Sequence, residues 1–191
     1  MLTNKVTEAL AVAIEAHHGQ QRKGTSIPYI SHPLGVASIA LEFGADEDQT
    51  MAALLHDVIE DGGPAFIPII KERFGDRVST IVHSCTDGIP DEAGNKGDWW
   101  QRKRAYLQHL ETTSIDALLV SGSDKLHNAR AIVSDLHREG VSVFARFSTG
   151  REGTLWYYGE LSALFLRRKA PMGEALAVVV AEMGRLAVEQ G

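Results

Sequence analysis

The sequence predicts an all-α fold built as a single domain. Apolar residues recur at helical spacing through nearly the whole chain, and no segment shows the apolar-polar alternation that is typical of a β-strand. The chain has 191 residues, of which 44% are hydrophobic and 23% charged, so it is long enough to enclose a full hydrophobic core. Because no repeat and no linker divides it, we expect residues 1–191 to form one domain.

The first half of the chain is predicted to contain five helices and one long loop. The segment NKVTEALAVAIEAHHG has helical spacing and ends at Gly19, and the loop GQQRKGTSIPYIS follows, because its glycine and proline residues interrupt any period. A second helix is expected from His32–Pro33 to about Phe43, since proline suits a first helical turn. The next predicted helices are DEDQTMAALLHDVIED, PAFIPIIKERFG and DRVSTIVHSCTDG, with Gly75 separating the last two.

The second half is predicted to begin with a polar, glycine-containing loop, IPDEAGNKGD, and to continue as helices. Two of these are WWQRKRAYLQHLET and SIDALLVSGSDKLHNARAIVSDLHREG, and a Ser-Gly-Ser run is expected to interrupt the second. The segment GTLWYYGELSALFLRRK forms the next predicted helix. A C-terminal helix at about residues 171–188, within PMGEALAVVVAEMGRLAVEQ, completes the set.

The segment MAALLHDVIEDGG, residues 51–63, carries an unusual group of polar residues on one face of its predicted helix. On a helical wheel, apolar side chains fill one arc, and the opposite arc holds His56, Asp57, Glu60 and Asp61. A solvated helix face usually mixes basic with acidic residues, but this one has no Lys or Arg. Three carboxylates near the C-terminal end of a helix also oppose its macrodipole. A cation, most economically a metal ion, is therefore expected beside these acids.

One helix cannot surround an ion, so further ligands are expected from elsewhere in the chain. The candidates are His32, at a predicted helix start, and Asp124, in an otherwise apolar helix. Each has an ordinary alternative: His32 could cap the helix or lie at the surface, and Asp124 could be a buried, hydrogen-bonded acid. With His56 and Asp57 they make a set of two imidazoles and two carboxylates, which suits Mn²⁺, Fe²⁺ or Zn²⁺ better than Ca²⁺. Four protein ligands also leave room for water and substrate.

Composition excludes several classes of function. The formal net charge of −6 argues against a protein that binds nucleic acid through bulk electrostatics. No apolar run approaches the roughly 18 residues of a membrane span, and the N-terminus lacks a signal-peptide pattern. The single cysteine, Cys85, excludes an internal disulfide and a multi-cysteine metal site. We therefore expect a cytoplasmic protein that binds neither nucleic acid nor membranes.

The order His … His-Asp … Asp resembles the signature of the HD superfamily of metal-dependent phosphohydrolases. In detail the chain is similar to the hydrolase domains of RelA/SpoT alarmone enzymes and to stand-alone small alarmone hydrolases. The similar stretches are AHHGQQRKGTSIPYISHPLGVA, AALLHDVIEDG, SDKLHNAR and GREGTLWYYGEL, which fall between about residues 5 and 166. The His-Asp pair alone is a weak signal, whereas these longer stretches in this order are specific. The resemblance implies a helical HD domain with a metal site between its central helices.

The resemblance also implies a role for each residue of the site. The residues that would hold a Mn²⁺ ion are His32, His56, Asp57 and Asp124. The residues that would position and deprotonate the attacking water are Glu60 and Asp61. Those that would contact the nucleotide are Arg22, Lys23 and Asn128. Two further basic residues are weaker candidates for phosphate contacts, Lys103 and Arg151, and His127 is a candidate for a hydrogen bond to a metal ligand.

The activity that the resemblance implies is removal of the 3′-pyrophosphate of guanosine tetra- or pentaphosphate, which yields GDP or GTP and pyrophosphate. Three positions depart from the relatives' usual residues: Ile27 replaces an acid, Ser123 an alanine, and Ala131 a threonine. None is an expected ligand, so the departures leave open which nucleotide fits. Since no synthetase-like segment follows, the expectation is a hydrolase-only member.

Alternative functions come from the same residues. The pocket could instead serve an adenine alarmone or remove the 2′-phosphate of NADPH. A different class would be a nucleotide sensor that keeps the fold without turnover, although a sensor has no chemical need for Glu60 and Asp61. The chain could also form a homo-oligomer.

Overall fold

A computed structural model describes residues 1–88 and 97–189, which form a bundle of α-helices. In this part of the chain there is no β-strand, and the only β-type pairing is an isolated bridge between Gln21 and Pro28. The helices are α1 (Asn4–Ala16), α2 (Ser31–Glu42), α3 (Glu47–Leu55), α4 (Val58–Gly62), α5 (Phe66–Cys85), α6 (Trp99–Leu110), α7 (Ile115–Glu139), α8 (Gly150–Arg167) and α9 (Gly173–Glu189). The all-α prediction is confirmed. The loop predicted over IPDEAGNKGD lies mostly outside the described residues.

Side-chain caps set the start of several helices. At α3 the Asp46 carboxylate accepts a hydrogen bond from the Gln49 backbone N–H (2.9 Å), and the Gln49 side chain accepts one from the Asp46 N–H (2.9 Å). This reciprocal pair is a capping box, which satisfies two backbone donors at once. At α7 the Ser114 hydroxyl accepts from the Ala117 N–H at 3.2 Å. The sequence therefore determines these helix starts through local hydrogen bonds.

Helices α3 and α7 lie at the centre of the bundle. Every residue from Gln49 to Leu55 of α3 is buried, and α7 contacts α2, α3, α5, α8 and α9. The side chains of Leu118, Leu126 and Leu136 along α7 are at most 2% exposed. This burial supplies most of the stability of such helices, since hydrophobic contact outweighs intrinsic helix propensity. None of the described helices is long and apolar enough to cross a membrane.

The predicted continuous helix over residues 46–61 is wrong at one point. Helix α3 ends at Leu55 and α4 begins at Val58, with His56 and Asp57 between them. The His56 ring Nδ1 lies 2.8 Å from the Ala53 carbonyl oxygen, which in a continuous helix would accept from the Asp57 backbone N–H. Glu60 and Asp61 therefore lie in the first turn of a short helix. The expectation that these acids oppose the macrodipole of a long helix is therefore wrong.

The Ser-Gly-Ser run does not interrupt its helix. Helix α7 continues from Ile115 to Glu139 through Gly122, because the two flanking hydroxyls find partners inside the bundle. The Ser121 hydroxyl pairs with Tyr106 at 2.8 Å, and the Ser123 hydroxyl donates to the Leu119 carbonyl at 2.9 Å. A Cβ at Gly122 would come within 2.4 Å of the Met172 sulfur, so the glycine allows a close approach between elements.

Two other features are a kink at Gly75 and a 3₁₀-helix between α7 and α8. The predicted break at Gly75 is confirmed as a kink inside α5, where the glycine has a φ of 88° that side-chain-bearing residues rarely adopt. A 3₁₀-helix at Gly140–Arg146, which the sequence did not predict, joins α7 to α8. It brings Phe147 and Thr149 to the face of the bundle that carries the candidate site.

Candidate metal centre

The four predicted metal ligands meet between α2, the α3–α4 junction and α7. The His32 Nε2 atom lies 3.2 Å from His56 Nε2, 3.3 Å from Asp57 Oδ2 and 3.2 Å from Asp124 Oδ1. The His56 Nε2 atom lies 3.1 Å from Asp57 Oδ2 and 3.8 Å from Asp124 Oδ1. Residues separated by up to 92 positions along the chain thus bring two imidazole nitrogens and two carboxylate oxygens into one cluster.

The two imidazoles are oriented by hydrogen bonds at their other nitrogen. The His56 Nδ1–H donates to the Ala53 carbonyl, which leaves Nε2 as the nitrogen that faces the cluster. His32 is held through its Nδ1, which lies 2.9 Å from Nδ1 of His127. His127 fits against α2 because Gly35 has no side chain: a Cβ there would come within 2.3 Å of the His127 ring. His127 therefore takes the supporting position that the sequence suggested for it.

The two carboxylates are held by donors as well. The Tyr29 hydroxyl donates to Asp57 Oδ2 at 2.8 Å. The Lys125 ammonium donates to Asp124 Oδ2 at 2.6 Å, and the Asn128 side-chain amide donates to Asp124 Oδ1 at 2.5 Å. Such contacts fix the rotamer of a ligand and determine which oxygen faces the ion. The cluster is therefore preorganised on all four of its members.

The ionisable side chains of the cluster strongly shift one another's pKa values. Burial opposes ionisation of Asp57 and Asp124, but the neighbouring histidines, together with Lys125 at Asp124, hold the pKa of both carboxyls well below the usual range. Burial also opposes a charge on His56, yet Asp57 and Asp124 raise the pKa of this imidazole to about 9. A cation that binds at His56 Nε2 near neutral pH must therefore displace a proton.

The donor set fits a divalent ion of intermediate character. His32, His56 and Asp124 are 1%, 2% and 6% exposed, and one ligand atom from each lies within 4.8 Å of the others. Imidazole nitrogen combined with carboxylate oxygen suits Mn²⁺, Fe²⁺ or Zn²⁺, whereas Ca²⁺ takes a larger set of oxygens. The arrangement could hold such an ion. The assignment of the individual ligands stays a prediction.

Two clefts open beside the cluster. The large cleft, about 590 Å³, is lined by residues that include Arg22, Lys23, Tyr29, His127, Asn128 and Arg146. The small cleft, about 330 Å³, is lined by residues that include Lys23, Glu60, Arg102, Lys103, Thr149 and Tyr157. Both are bordered by the same four residues, Lys23, Ile132, Phe147 and Tyr158. The clefts therefore adjoin each other, and the large cleft reaches the residues that contact the cluster, Tyr29, His127 and Asn128.

The predicted nucleotide contacts lie in the large cleft. The Arg22 guanidinium donates to the Asn128 side-chain oxygen at 2.5 Å and lies 5.6 Å from the centre of the Tyr29 ring. Because the Asn128 amide also contacts Asp124, Asn128 connects Arg22 in the large cleft to a predicted metal ligand. Lys23 is exposed and lies where the two clefts meet. All three predicted contact residues, Arg22, Lys23 and Asn128, therefore face one space.

The remaining predicted site residues are placed differently. Glu60 is half-buried and lines the small cleft, whereas Asp61 is exposed beside it in the chain. Lys103 lines the small cleft, pairs with Asp87 and lies 4.9 Å from the centre of the Tyr157 ring. Arg151 is exposed in the first turn of α8 and is absent from the described lining of either cleft. The roles of these four residues stay predictions.

Two residues that hold the cluster together were not singled out in the sequence. Lys125 follows Asp124 in a stretch of α7 that is otherwise buried, and its ammonium also lies 5.1 Å from the centre of the Tyr106 ring. A lysine within such a run needs a buried anion, and this signal could have identified it. Tyr29 lies in the loop before α2, and only its distance to Asp57 in the fold reveals its role.

Replacing Tyr29 by Phe should weaken divalent-cation binding about tenfold, because partners of a metal ligand typically contribute ten- to a hundredfold to affinity. Calorimetric titration of metal-stripped protein with Mn²⁺ measures the change. Tyr106→Phe is the matched control, since it also removes one buried hydroxyl hydrogen bond but contacts none of the four clustered residues. Equal Mn²⁺ affinity in Tyr29→Phe and wild-type protein would show that Asp57 needs no such support.

Comparison with known proteins identifies relatives of the chain. The pyrophosphohydrolase MESH1 of Xenopus tropicalis is 41% identical over 128 residues, which cover 65% of this chain and 68% of that protein. MESH1 of Danio rerio is 37% identical over 139 residues, 71% of each chain. The bifunctional (p)ppGpp synthase/hydrolase SpoT of Escherichia coli K12 is 34% identical over 136 residues, 68% of this chain. Those residues span only 18% of SpoT, so the chain corresponds to a small part of the long bacterial relative.

Two solved structures share the fold. A Listeria monocytogenes protein superposes with a TM-score of 0.68 at 28% identity, over 78% of this chain and 96% of that one. A metazoan orthologue of SpoT, reported to hydrolyse ppGpp, superposes with a TM-score of 0.60 at 26% identity, over 88% of this chain and 97% of that one. The family model of the HD domain matches residues 9–155, most of the sequence. This chain therefore belongs to the HD domain family.

Proposed function

We propose that this protein is a Mn²⁺-dependent hydrolase that removes the 3′-pyrophosphate of guanosine tetra- or pentaphosphate and releases GDP or GTP with pyrophosphate. The observation that carries the proposal is the cluster of His32, His56, Asp57 and Asp124 beside a cleft with basic walls. The relatives support the substrate, since both MESH1 proteins are named guanosine-3′,5′-bis(diphosphate) 3′-pyrophosphohydrolases. Cytoplasmic location and self-association stay predictions.

The cluster would hold the ion through His32, His56, Asp57 and Asp124. When bound, a divalent ion supplies positive charge at the phosphoryl oxygens and makes water easier to deprotonate. The protein's contribution is rigidity, since each of the four side chains is fixed by a neighbour before substrate arrives. Such preorganisation avoids reorganisation of the site during the reaction.

Glu60 is the residue proposed to accept a proton from the attacking water, with Asp61 supporting it. Glu60 lies four residues after His56 and lines the small cleft, which supports a role beside the bound substrate. The oxygen of water bonds to the phosphorus that is esterified to the ribose, and the bond from that phosphorus to the ribose oxygen breaks. The ribose oxygen then gains a proton, and pyrophosphate leaves with both of its phosphorus atoms.

Arg22 and Lys23 are proposed to neutralise negative charge on the phosphates of the substrate. Arg22 is held between the Tyr29 ring and the Asn128 side chain, so its planar guanidinium is already oriented when the nucleotide enters. Lys23, which is exposed, acts as a mobile point charge. Arginine can both stack on a base and bind phosphate oxygens, which suits it for the boundary between nucleoside and phosphates.

A substrate panel tests the proposal. Purified protein is incubated with Mn²⁺ and, separately, ppGpp, pppGpp, ppApp and NADPH, and released pyrophosphate and orthophosphate are quantified. We expect turnover of ppGpp and pppGpp with release of pyrophosphate, and loss of turnover on chelation that is restored by Mn²⁺. Release of orthophosphate from NADPH alone would overturn the proposed guanosine substrate. Binding of all four compounds without turnover would identify a sensor.

A further inference from the structure

His17 is a buried histidine at the C-terminal end of α1, outside the cluster of predicted metal ligands. The residue is only 4% exposed, and its backbone N–H donates to the Ala13 carbonyl at 3.0 Å. The ring Nδ1 lies 2.8 Å from the Gln20 side-chain oxygen, whereas the buried Nε2 has no hydrogen-bond partner among the residues that the structure describes. An unpartnered polar atom in the interior costs free energy. We therefore expect the rest of the imidazole to have a role that an apolar side chain could not fill.

The contacts of Gln20 determine which nitrogen of His17 carries the proton. The Gln20 side-chain nitrogen faces two backbone carbonyl oxygens, those of Asp61 at 3.3 Å and Ala16 at 3.5 Å. Because only the NH₂ group of an amide can donate to a carbonyl, the amide oxygen is the atom that faces His17. The His17 Nδ1–H therefore donates to this oxygen and orients the Gln20 amide towards Asp61.

Gln20 supports α4, the five-residue helix that carries Glu60 and Asp61. Carbonyl groups in the last turn of a helix have no partner within the helix, and the Gln20 amide donates to one of them, that of Asp61. The end of α1 also packs closely against α4, since a Cβ at Gly62 would come within 3.0 Å of the Ala16 side chain. A helix of one turn is not stable by itself, so its position depends on such contacts.

The His17 ring contacts Tyr29 as well. The centres of the two rings lie 4.6 Å apart and their planes are inclined by 31°. Contacts between rings contribute to stability beyond the area that they bury, and they restrict where each ring can lie. The Tyr29 hydroxyl donates to Asp57 Oδ2 at 2.8 Å, and its backbone N–H donates to the Gln20 carbonyl at 2.9 Å. His17 thus contacts both the residue that holds a predicted metal ligand and the residue that holds α4.

We propose that His17 is a positioning residue for both parts of the candidate site. Its ring holds Tyr29 where the hydroxyl reaches Asp57, and its Nδ1–H holds the Gln20 amide where it reaches α4. The part that concerns α4 rests on the proposed function, because α4 carries the proposed proton acceptor Glu60. The part that concerns Tyr29 requires only that the cluster binds a cation.

The two contacts of His17 can be removed separately. His17→Phe keeps a ring against Tyr29 but has no N–H donor, whereas His17→Asn keeps an N–H donor near the Nδ1 position but has no ring. In His17→Phe, kcat on ppGpp at saturating Mn²⁺ should fall at least about tenfold, because small misplacements of reacting groups are costly, and Mn²⁺ affinity should stay near the wild-type value. In His17→Asn, Mn²⁺ affinity should fall at least about threefold, but no more than in Tyr29→Phe, and kcat at saturating Mn²⁺ should stay near the wild-type value.

Further variants distinguish positioning from a space-filling role. His17→Met fills the same space without ring or donor, so it should lower both kcat and Mn²⁺ affinity. Gln20→Met, at a half-buried position, should lower kcat alone. Gln49→Met is the matched control, because it also removes an amide, one that donates to Asp116 at 3.0 Å, and it should change neither quantity. Added to Tyr29→Phe, His17→Asn should cause no further loss of Mn²⁺ affinity, since its effect passes through the Tyr29 hydroxyl.

Hydrogen exchange separates the failure of this inference from that of the proposed function. The Asp61 N–H donates to the Asp57 carbonyl at 2.9 Å within α4. In Mn²⁺-loaded protein of full length, this amide should exchange at least about tenfold faster in His17→Phe and Gln20→Met than in wild-type protein or His17→Asn. Absence of ppGpp turnover in wild-type protein would reject the proposed function, and the exchange and Mn²⁺ titrations would still decide the inference.

Three results would overturn the inference, with melting temperatures showing that the variants remain folded. The first is the same change in kcat and in Mn²⁺ affinity for His17→Phe and His17→Asn. The second is a His17→Met protein that equals the wild type, which would show that the residue only fills space. The third is unchanged exchange of the Asp61 amide in both His17→Phe and Gln20→Met. Wild-type protein that binds no Mn²⁺ would reject the part that concerns Tyr29.

Discussion

Glu60→Gln should lower kcat by roughly two to four powers of ten, the range that positioned acid-base groups contribute to catalysis. Glutamine keeps the shape and hydrogen-bonding capacity of the side chain, but it cannot accept a proton from water at neutral pH. Asp61→Asn should act in the same direction, because the proposed mechanism uses the two acids together. Bound Mn²⁺ should stay near the wild-type level, since neither residue is one of the proposed ligands His32, His56, Asp57 and Asp124.

Kinetics, metal content and melting temperature, measured on the same protein samples, distinguish this mechanism from a solvated pair of acids. Glu42→Gln, which removes an exposed acid at the end of α2, is the matched control. An exposed position away from any site usually tolerates such a change within about 0.5 kcal/mol and without a kinetic effect. Normal turnover in both Glu60→Gln and Asp61→Asn would remove the proposed base and leave the metal centre in place.

Asp124→Ala should abolish tight Mn²⁺ binding and turnover, and it should also destabilise the fold by about 3–5 kcal/mol. The second effect arises because Lys125 loses the carboxylate that its ammonium contacts at 2.6 Å. That ammonium lies in a side chain only 12% exposed, over the ring of Tyr106, so water cannot fully replace the lost partner. Denaturant unfolding and calorimetric titration with Mn²⁺ measure the two losses separately.

The double variant Asp124→Ala/Lys125→Met resolves these effects. Removing both charges should restore much of the lost stability, because a buried pair replaced by apolar groups is often nearly neutral. Mn²⁺ binding should remain absent, since the carboxylate is still missing. Full Mn²⁺ occupancy in either Asp124→Ala protein would show that Asp124 is no ligand. A double variant as unstable as the single one would show that the Lys125 contact is not the cause.

The sequence predicted those parts of the fold that depend on local signals. The break at Gly75 follows from glycine itself, and periodic apolar residues place the helices. The interruption at His56–Asp57 was not predictable in this way, because it involves a side chain that bonds the Ala53 carbonyl within the same turn. The continuity of α7 through Gly122 is accompanied by the contact of Ser121 with Tyr106 and by close packing against Met172, fifty positions away, which no local pattern reveals.

The candidate site divides along the same line. The four donors could be named from motif order, and the structure brings them into one cluster. The residues that hold these donors in place, such as Tyr29, could not be named, because they contact the donors only in the folded protein. Arg102 and Lys103 are adjacent basic residues on α6, and their shared contact with Asp87, which the sequence does not reveal, distinguishes them from a solvated surface pair. Arg151, a weaker candidate for a phosphate contact, lies exposed on α8.

Gly122 connects the C-terminal region to the helix that carries Asp124. It lies two residues before Asp124, and the Met172 sulfur and the Phe165 ring occupy the space that a side chain at 122 would need. Both residues lie beyond position 155, where the match to the HD domain model ends. The placement of α7 near Asp124 therefore involves packing against residues that the HD domain model does not match. A shortened protein that ends at residue 155 would keep every proposed ligand. It would lose Met172 and Phe165, which pack against Gly122, two residues before Asp124.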